Sequence, residues 1–431
     1  MLFATLALTA AMFQTDSLSR AERRAAAHVD EHAAEAVTLL QRIVDINSGT
    51  LNFAGVREVG RVLRAEFDAL GFTTRWEDGA AFNRAGHLVA EHPGRGPKIL
   101  LIGHLDTVFE PDSPFQRFER VDDKIARGPG IVDMKAGDVI IVQSLKALKA
   151  AGLLDGMHVT VIMTGDEEAS GDPRSLARKT LIDLARTHDV AIGFENGSGD
   201  PHKAVTARRG TTSWTLTVTA KPAHSSQIFR EDVGSGAVFE AARILTAFHD
   251  RLAGQPFLTF NPGLAIGGTA VDIDSTGVRG TGFGKSNVVA ERMVVKGDLR
   301  ILSPEQLAAT KQTMREIATR TRPHAEATIE FVDGYPPLPP SEGNQRLLAL
   351  VAKANRDLGF GDVTATDPMR AGAADVSFTA GLVSMAIDGI GGAGADDHTA
   401  QETADLSELP KLIKRTAVLL HRLSRDQRTT S

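Results

Sequence analysis

Apolar residues recur along this chain in two different periods, and segments of the two kinds follow one another. Nearly continuous apolar runs at residues 99–102, 159–163 and 190–194 are typical of strands that are buried on both faces of a sheet. Between these runs, residues 133–152 and 174–188 carry apolar positions at helical spacing and predict helices. The sequence therefore predicts an α/β fold with a mostly parallel sheet and helices on both faces. Helices are also predicted at residues 19–46 and 56–71.

The pattern changes between residues 210 and 334. Strand and helix signals there follow the order β-α-β-β-α-β, with strands at 211–220, 258–268, 287–301 and 326–335 and helices at 234–252 and 303–322. This order is typical of a ferredoxin-like α+β unit. The proline-rich residues 335–343 predict a return linker. We therefore expect a main domain in two parts, 19–209 and 335–431, which is interrupted by an inserted domain at 210–334.

Residues 1–18 form a separate N-terminal segment with an uncharged apolar run at positions 2–13. The run is too short to cross a bilayer as a helix, but it has the length of the apolar region of a signal peptide. The small residues Thr9, Ala10 and Ala11 offer a cleavage site. We expect a signal peptide and a periplasmic or secreted protein. The alternative is an apolar helical turn at the N-terminus of a cytoplasmic protein. No other segment is predicted to span a membrane.

Composition and charge narrow the chemistry. The length of 431 residues favours more than one domain. The 48 basic and 54 acidic residues give a formal net charge of -6 without a concentrated basic stripe, which argues against a nucleic-acid partner. The chain has no cysteine, so disulfides, thiolate metal sites and cysteine nucleophiles are excluded. A transition metal would have to be held by histidine, aspartate and glutamate.

The apolar run at 99–102 ends in an unusual polar pair, His104 and Asp106. Positions i and i+2 of an extended chain share a face, so the two side chains are predicted to point the same way. A metal-binding imidazole that is held in one tautomer by a carboxylate has this arrangement. A strand end with ordinary surface polar residues is the alternative that so short a pattern leaves open.

Other predicted strands also end in candidate metal ligands, and these are Asp166, Glu167, Glu168, Glu195 and His398, while Asp133 precedes a helix. Ligand sites of open α/β sheets form beyond the carboxyl ends of the strands, where such side chains could hold two divalent metals such as zinc. Asp133 is the candidate bridge, because one carboxylate can bind two ions ~3.5–4 Å apart. Neighbouring Glu167 and Glu168 face opposite directions in an extended chain. One could bind a metal while the other acts as a general base, or both could lie in a solvated loop.

Five motifs together resemble one known family. They are GHLDTV, GPGIVDMKAG, GDEEASG, FENG and DDHTAQE, and the resemblance extends from residue 37 to residue 423. The chain is similar to the di-zinc metallopeptidases that include glutamate carboxypeptidase, aminoacylase, acetylornithine deacetylase and succinyl-diaminopimelate desuccinylase. It most resembles the glutamate carboxypeptidase branch, through GHLDTV, GPGI and the segments SNVV and GDLR. The resemblance implies a zinc-exopeptidase-like catalytic domain with an inserted dimerisation or lid domain.

The resemblance also implies roles for the candidate ligands. One zinc would be held by His104, Asp133 and Glu195, and the other by Asp133, Glu168 and His398. Asp106 would orient His104, and Glu167 would be the general base for water. The implied cofactor is two Zn²⁺ per subunit, for which Co²⁺ or Mn²⁺ could substitute.

The resemblance implies that three residues act on the substrate, and the position of Lys203 just after the Glu195 loop adds a fourth candidate. His224 in KPAHSS would reach into the active site of a partner subunit and stabilise the oxyanion, which implies a homodimer formed through the inserted domain. Asn287 and Arg300 match positions that bind the substrate carboxylate, and the planar guanidinium of arginine suits that task. Lys203 could meet an acidic side chain and so favour glutamate. The alternatives are that His224 is a loop histidine, Arg300 a surface arginine at a strand end and Lys203 a solvated lysine.

The expected activity is hydrolysis of the amide bond to a C-terminal or N-acylated amino acid with a free carboxylate, as in glutamate carboxypeptidase. An N-acyl-amino-acid deacylase or a dipeptidase of the same family is the main alternative. A two-metal phosphoesterase and a non-catalytic metal-binding relative are remote ones. The glycine-rich residues 272–287 and the altered segment around Asp375 both weaken the expectation of a glutamate preference.

Overall fold

The computed structural model describes residues 18–274 and 277–426. The expected signal peptide therefore lies outside the described residues, apart from Leu18. Within the described ranges, none of the helices combines the length and the apolar character that crossing a membrane requires.

The helices of the described residues are α1 (Arg20–Glu31), α2 (Ala33–Val44), α3 (Phe53–Leu70), α4 (Ala136–Ala150), α5 (Arg174–Ala177), α6 (Lys179–Ala185), α7 (Gly236–Leu252), α8 (Pro304–Thr319), α9 (Glu342–Asp357) and α10 (Leu409–Leu423). Short 3₁₀ turns occur at Ala80–Phe82, Leu154–Gly156, Ser225–Gln227, Pro368–Arg370 and Asp375–Thr379, and a π turn at Ile131–Lys135.

The strands are β1 (Thr73–Asp78), β2 (Gly86–His92), β3 (Arg95–His104), β4 (Glu119–Arg120), β5 (Ile125–Arg127), β6 (Met157–Thr164), β7 (Val190–Gly193), β8 (Lys203–Ala204), β9 (Gly210–Ala220), β10 (Thr259–Gly268), β11 (Ala270–Ile273), β12 (Gly280–Phe283), β13 (Arg292–Ile301), β14 (Ala325–Asp333), β15 (Thr364–Ala365), β16 (Met385–Ile387), β17 (Gly394–Ala395) and β18 (Thr403–Asp405).

The central sheet has six strands in the order β1-β2-β6-β3-β7-β16. Strands β6, β3, β7 and β16 run parallel, while β2 is antiparallel to β6 and β1 is antiparallel to β2. Along β3, Ile99 and Leu101 belong to the hydrophobic cluster that includes α4, whereas Leu100 and Ile102 belong to the cluster that includes α6. Because both faces of the sheet are covered, β3 is apolar at successive positions. The predicted α/β fold class is confirmed.

Residues 210–333 contribute a second sheet with a core of its own. Its order is β10-β13-β9-β14, and all neighbours are antiparallel. Helices α7 and α8 pack on one face, where Trp214, Leu216 and Val218 of β9 are buried. The chain order and strand order are those of the predicted ferredoxin-like unit. The glycine-rich stretch adds a hairpin of β11 and β12, which we did not predict because glycines give no alternating pattern.

Two predicted helices are interrupted in the structure. The helix expected at 19–46 breaks at His32, whose φ of -115° and ψ of 17° lie outside the helical region. The helix expected at 174–188 breaks at Arg178, whose side chain is buried beside Asp166 and Asp375. The sequence gives no sign of this break, because the apolar residues on both sides of Arg178 keep the spacing of one continuous helix.

The inserted residues are joined to the rest of the chain by two connections that lie side by side, at 208–211 and 334–338. The backbone N–H of Thr211 donates to the carbonyl oxygen of Tyr335 at 2.9 Å, and the N–H of Arg208 donates to the carbonyl oxygen of Leu338 at the same distance. The N–H of Gly334 donates to the carbonyl oxygen of Thr211. These bonds join the two connections to each other.

Candidate metal centre

The first group of candidate ligands forms at the carboxyl ends of two central strands. His104 is the last residue of β3, and Glu195 follows the neighbouring β7. His104 Nε2 lies 3.1 Å from Asp133 Oδ1 and 3.4 Å from Glu195 Oε1. The ligand atoms of these three residues all lie within 4.8 Å of one another. Parallel strands gather their carboxyl ends at one edge, so residues far apart in sequence meet there.

The second group shares Asp133 with the first. His398 Nε2 lies 3.1 Å from Asp133 Oδ2 and 3.2 Å from Glu168 Oε2. Each oxygen of Asp133 therefore faces a different histidine. Strand β18 pairs with β5, and this pairing brings the loop that carries His398 next to the loop that carries Asp133.

The donor set fits a pair of divalent metal ions. Imidazole nitrogen and carboxylate oxygen are ligands that zinc and its first-row neighbours accept. Glu168 Oε1 is buried and has no hydrogen-bond partner in the described chain, and a metal ion bound at this carboxylate would satisfy it. A carboxylate with one oxygen in each group can serve two ions ~3.5–4 Å apart.

Crowding of carboxyl groups strongly shifts the protonation equilibria of the centre. Burial and the charge of Asp133 raise the pKa of Glu195 to about 8. Hydrogen bonds that His398 donates to the carboxylates of Asp133 and Glu168 raise the pKa of His398 to about 11. Burial disfavours the charged form of His104, but Glu195 and Asp133 outweigh it and raise its pKa well above the usual value. The site therefore attracts positive charge, which a metal cation would supply.

Asp106 is buried beside His104, but its carboxylate binds the neighbouring loop. His104 Nδ1 lies 3.0 Å from the backbone oxygen of Asp106, whereas the nearer carboxylate oxygen is 3.6 Å away. That carboxylate accepts hydrogen bonds from the N–H groups of Glu167 and Glu168 at 3.0 and 3.1 Å and from the Thr50 hydroxyl at 2.6 Å. The backbone carbonyl thus takes the place that we predicted for the carboxylate in orienting His104.

Glu167 lies next to the first group. It lines the same small cavity as His104 and Glu195. Burial, together with the charges of Glu195 and Asp375, raises the pKa of its carboxyl group well above the usual value. Its neighbour Glu168 points instead to His398. The adjacent glutamates therefore face different parts of the site, although they lie in a turn and not in an extended strand.

Glu402 is a buried residue of the site that sequence reasoning missed. Its carboxylate accepts hydrogen bonds from the N–H groups of Gly130, Val132 and Asp133 at 3.0, 2.9 and 3.1 Å. Gly130 has a φ of 68°, a left-handed conformation that favours glycine. Glu402 therefore holds the turn that presents Asp133. It ends the motif DDHTAQE, but nothing in the sequence indicates a partner some 270 positions away.

Replacing Glu402 with glutamine is expected to weaken metal binding about tenfold, the lower end of what loss of a supporting contact costs. The amide keeps one acceptor oxygen, but its NH₂ group would face a backbone donor. Competition with a chelator measures the affinity, and Glu326→Gln on the exposed side of β14 is the matched control. Equal affinities in the two variants would contradict the supporting role of Glu402.

The structure does not bring the predicted substrate residues to the metal ligands within one chain. His224 and Asn287 are exposed neighbours on the inserted unit, where the N–H of Ser225 donates to the carbonyl oxygen of Asn287 at 2.9 Å. Arg300, at the end of β13, donates from Nε to Asp298 Oδ2 at 2.7 Å. Among the described residues, no hydrogen bond or ion pair joins these side chains to either ligand group.

Lys203 is the first residue of β8. Its Nζ donates to the Thr364 hydroxyl at 2.9 Å, and β8 pairs with β15. The side chain therefore bridges two short strands, which is a structural role in this chain.

Comparison with known proteins is in line with this geometry. Carboxypeptidase G2 from Pseudomonas sp. (strain RS-16) is 26% identical over 398 residues, which cover 91% of this chain and 90% of that protein. A succinyl-diaminopimelate desuccinylase from Maricaulis maris is 28% identical over 200 residues, which cover 44% of this chain and 47% of that protein.

Solved structures show the same fold at lower identity. Aminopeptidase PepT from Bacillus cereus superposes with a TM-score of 0.73 at 19% identity, covering 91% of this chain and 99% of that one. The YxeP protein of Bacillus subtilis, a dinuclear metal binding peptidase from the M20 family, gives a TM-score of 0.61 at 16% identity, with 92% and 99% covered.

Residues 100–422 match the model of peptidase family M20/M25/M40. This match includes the carboxyl ends of β3 and β7, where the first ligand group forms, and the loop that carries His398. Because the matched residues make up most of the chain, the protein belongs to peptidase family M20/M25/M40, and it is a metallopeptidase or amidohydrolase.

Proposed function

We propose that the protein hydrolyses the amide bond to a C-terminal or N-acylated amino acid that has a free carboxylate, with two Zn²⁺ per subunit. The main supporting observation is that Asp133 belongs to both groups of candidate metal ligands. Glu167 lines the same small cavity as His104 and Glu195 of the first group. The histidine nitrogens and carboxylate oxygens suit zinc, and Co²⁺ or Mn²⁺ could substitute. Bound metal ions would polarise the amide carbonyl and acidify water.

In this proposal, the residues of the chain bind the metal ions, transfer the proton and position the catalytic loop. His104, Asp133 and Glu195 hold one metal, and Asp133, Glu168 and His398 hold the other. Glu167 takes the proton from the attacking water and passes it to the leaving amine, which is general acid–base catalysis. Asp106 holds the backbone of Glu167 and Glu168 in place through its two carboxylate oxygens.

The inserted residues 210–334 serve as a dimerisation and lid domain in this proposal, with residues 19–209 and 335–431 as the catalytic domain. Exposed Phe229, Val238 and Phe239 form an apolar surface on and beside α7, and β10 is an unpaired edge of its sheet. Surfaces of this kind mark contacts between subunits. In a homodimer, His224 reaches the partner's active site and stabilises the oxyanion.

Substrate type is proposed from the resemblance and from the names of the relatives. Asn287 and Arg300 bind the free carboxylate, and similarity to carboxypeptidase G2 favours release of a C-terminal amino acid, with glutamate as the first candidate. Similarity to a desuccinylase keeps an N-acyl-amino-acid deacylase as the second candidate. The Lys203–Thr364 bond argues against a role for Lys203 in glutamate recognition. The apolar run at 2–13 supports a periplasmic or secreted location.

The deciding experiment is amine release from a panel of N-acyl amino acids, dipeptides and glutamyl amides, measured before chelation, after chelation and after zinc is returned. A phosphodiester serves as the control for the phosphoesterase alternative. Zinc-restored amide hydrolysis supports the proposal, and the best leaving group separates carboxypeptidase from deacylase. Activity that chelation does not affect would refute it.

Replacing Arg300 with alanine is expected to raise KM about tenfold to a hundredfold for substrates with a free carboxylate, since one charge-assisted hydrogen bond is lost. Substrates whose carboxylate is blocked as an amide should show no such change. Steady-state kinetics on matched substrate pairs measures both effects. Arg292→Ala, at an exposed position of the same strand, is the control, and equal KM values in the two variants would count against carboxylate binding by Arg300.

A further inference from the structure

A buried hydrogen-bond network joins the loop of Glu167 to the connection that leads out of the inserted unit. Arg178 is fully buried. Its Nη1 donates to Asp166 Oδ1 at 2.6 Å, its Nε donates to Asp375 Oδ1 at 2.7 Å, and its Nη2 donates to the phenol oxygen of Tyr335 at 2.6 Å. The Tyr335 hydroxyl in turn lies 2.9 Å from the backbone oxygen of Glu167.

The chemistry of these groups fixes the direction of each bond. A guanidinium can only donate, so the phenol oxygen accepts from Arg178. The phenol hydrogen is then free to be donated to the Glu167 carbonyl oxygen. Glu167 is therefore held at both backbone polar groups, because its N–H donates to Asp106 Oδ1 and its carbonyl accepts from Tyr335. Residues 165–171 contain no helix or strand, and the bonds to Asp106 and Tyr335 are those that hold the backbone of Glu167 itself within this loop.

Tyr335 belongs to the connection at 334–338, and its backbone is bound to the start of β9. Its carbonyl oxygen accepts from the N–H of Thr211 at 2.9 Å, and its own N–H donates to the Thr211 hydroxyl at 3.0 Å. A rotation of the inserted unit about the two connections therefore acts on Tyr335 directly. Hinges of this kind absorb backbone rotation in a few residues at element ends.

We infer that Tyr335 and Arg178 are positioning residues that couple the orientation of the inserted unit to the placement of Glu167. The inference rests on the proposed function, because it reaches the reaction through Glu167 as the base. Rotation that moves Tyr335 away would break its hydrogen bond to the Glu167 carbonyl oxygen. Rotation in the opposite direction would restore this bond and fix the position of the loop. Glu167 would then be held in its working position only when the inserted unit has the matching orientation.

Replacing Tyr335 with phenylalanine tests the coupling, because it removes one hydroxyl and leaves Arg178 paired with Asp166 and Asp375. The matched control is Thr212→Val, since the buried Thr212 hydroxyl donates to Asp333 Oδ1 at 2.9 Å near the same connection but has no bond to the loop of Glu167. Both variants are expected to keep the metal content of the wild type. Tyr335→Phe should lower kcat about 10²-fold with KM unchanged, as a misplaced catalytic group does.

Hydrogen exchange gives a readout that does not depend on activity. A peptide covering residues 165–171 should exchange about tenfold faster in Tyr335→Phe than in wild type, which corresponds to the loss of one hydrogen bond. Thr212→Val should exchange as wild type does. Equal exchange in Tyr335→Phe and Thr212→Val would overturn the inference, as would equal kcat values. If the wild type hydrolyses no amide, the proposed function fails, while the exchange comparison still decides whether Tyr335 holds the loop.

Discussion

Replacing Glu167 with glutamine is expected to lower kcat for amide hydrolysis about 10³-fold, within the range that general acid–base catalysis contributes. The amide keeps the size and the backbone contacts of Glu167 but cannot accept the proton of water. Metal content should stay at the wild-type value, because Glu167 belongs to neither ligand group. Stopped assays on the best substrate of the panel, with metal analysis of the same samples, measure both quantities.

A matched control separates the loss of the base from general damage. Glu291→Gln makes the same chemical change at an exposed position of the inserted unit and should leave kcat unaltered. Tenfold or smaller loss in Glu167→Gln, relative to that control, would show that another group takes the proton. A loss of metal together with activity would instead mean that Glu167 supports the ligands.

Replacing Asp133 with alanine is expected to remove both metal ions, because each of its oxygens faces a different histidine. Hydrolysis should then fall below detection even when zinc is added back at moderate concentration. His398→Ala removes a ligand from only one group, so that variant should retain one ion per chain. Metal content after gel filtration, measured by mass spectrometry of the elements, distinguishes the two results.

The comparison of these two variants tests whether Asp133 binds both metal ions. Asp272→Asn, on the exposed part of β11, controls for the loss of an aspartate charge and should keep the full metal content. If Asp133→Ala and His398→Ala each lost a single ion, Asp133 would be a ligand of one metal only. The two groups would then be independent sites, and the proposed mechanism would lose its shared ligand.

The clustering of the candidate ligands follows from the sequence because two of them occupy strand ends. His104 and Glu195 follow apolar runs that become β3 and β7, and the geometry of parallel sheets gathers those ends without further information. The orientation of Asp106 could not be predicted in the same way. Strand β3 ends at His104, so Asp106 lies beyond the strand, and there the N–H groups of Glu167 and Glu168 bind its carboxylate more closely than the imidazole does.

Contacts between distant segments account for two further features that the sequence did not indicate. Glu402 reaches the turn at Asp133, and Arg178 reaches Tyr335 across 157 positions. Neither Glu402 nor Arg178 follows an apolar run or lies two positions from another candidate ligand. No local sequence pattern therefore indicates its role. Such residues can be identified only from the folded structure, which shows the polar group that each buried charge contacts.

The chain contains one tyrosine, and it is the residue at the connection out of the inserted unit. Protein made with 3-fluorotyrosine would therefore carry a single fluorine atom, at position 335. Its ¹⁹F chemical shift would report whether the tyrosine hydroxyl is bound to the loop of Glu167, and two orientations of the inserted unit in slow exchange would give separate signals. No substitution elsewhere is needed for this label. Movement of a whole domain could thus be followed during substrate binding through one resonance, in the native sequence.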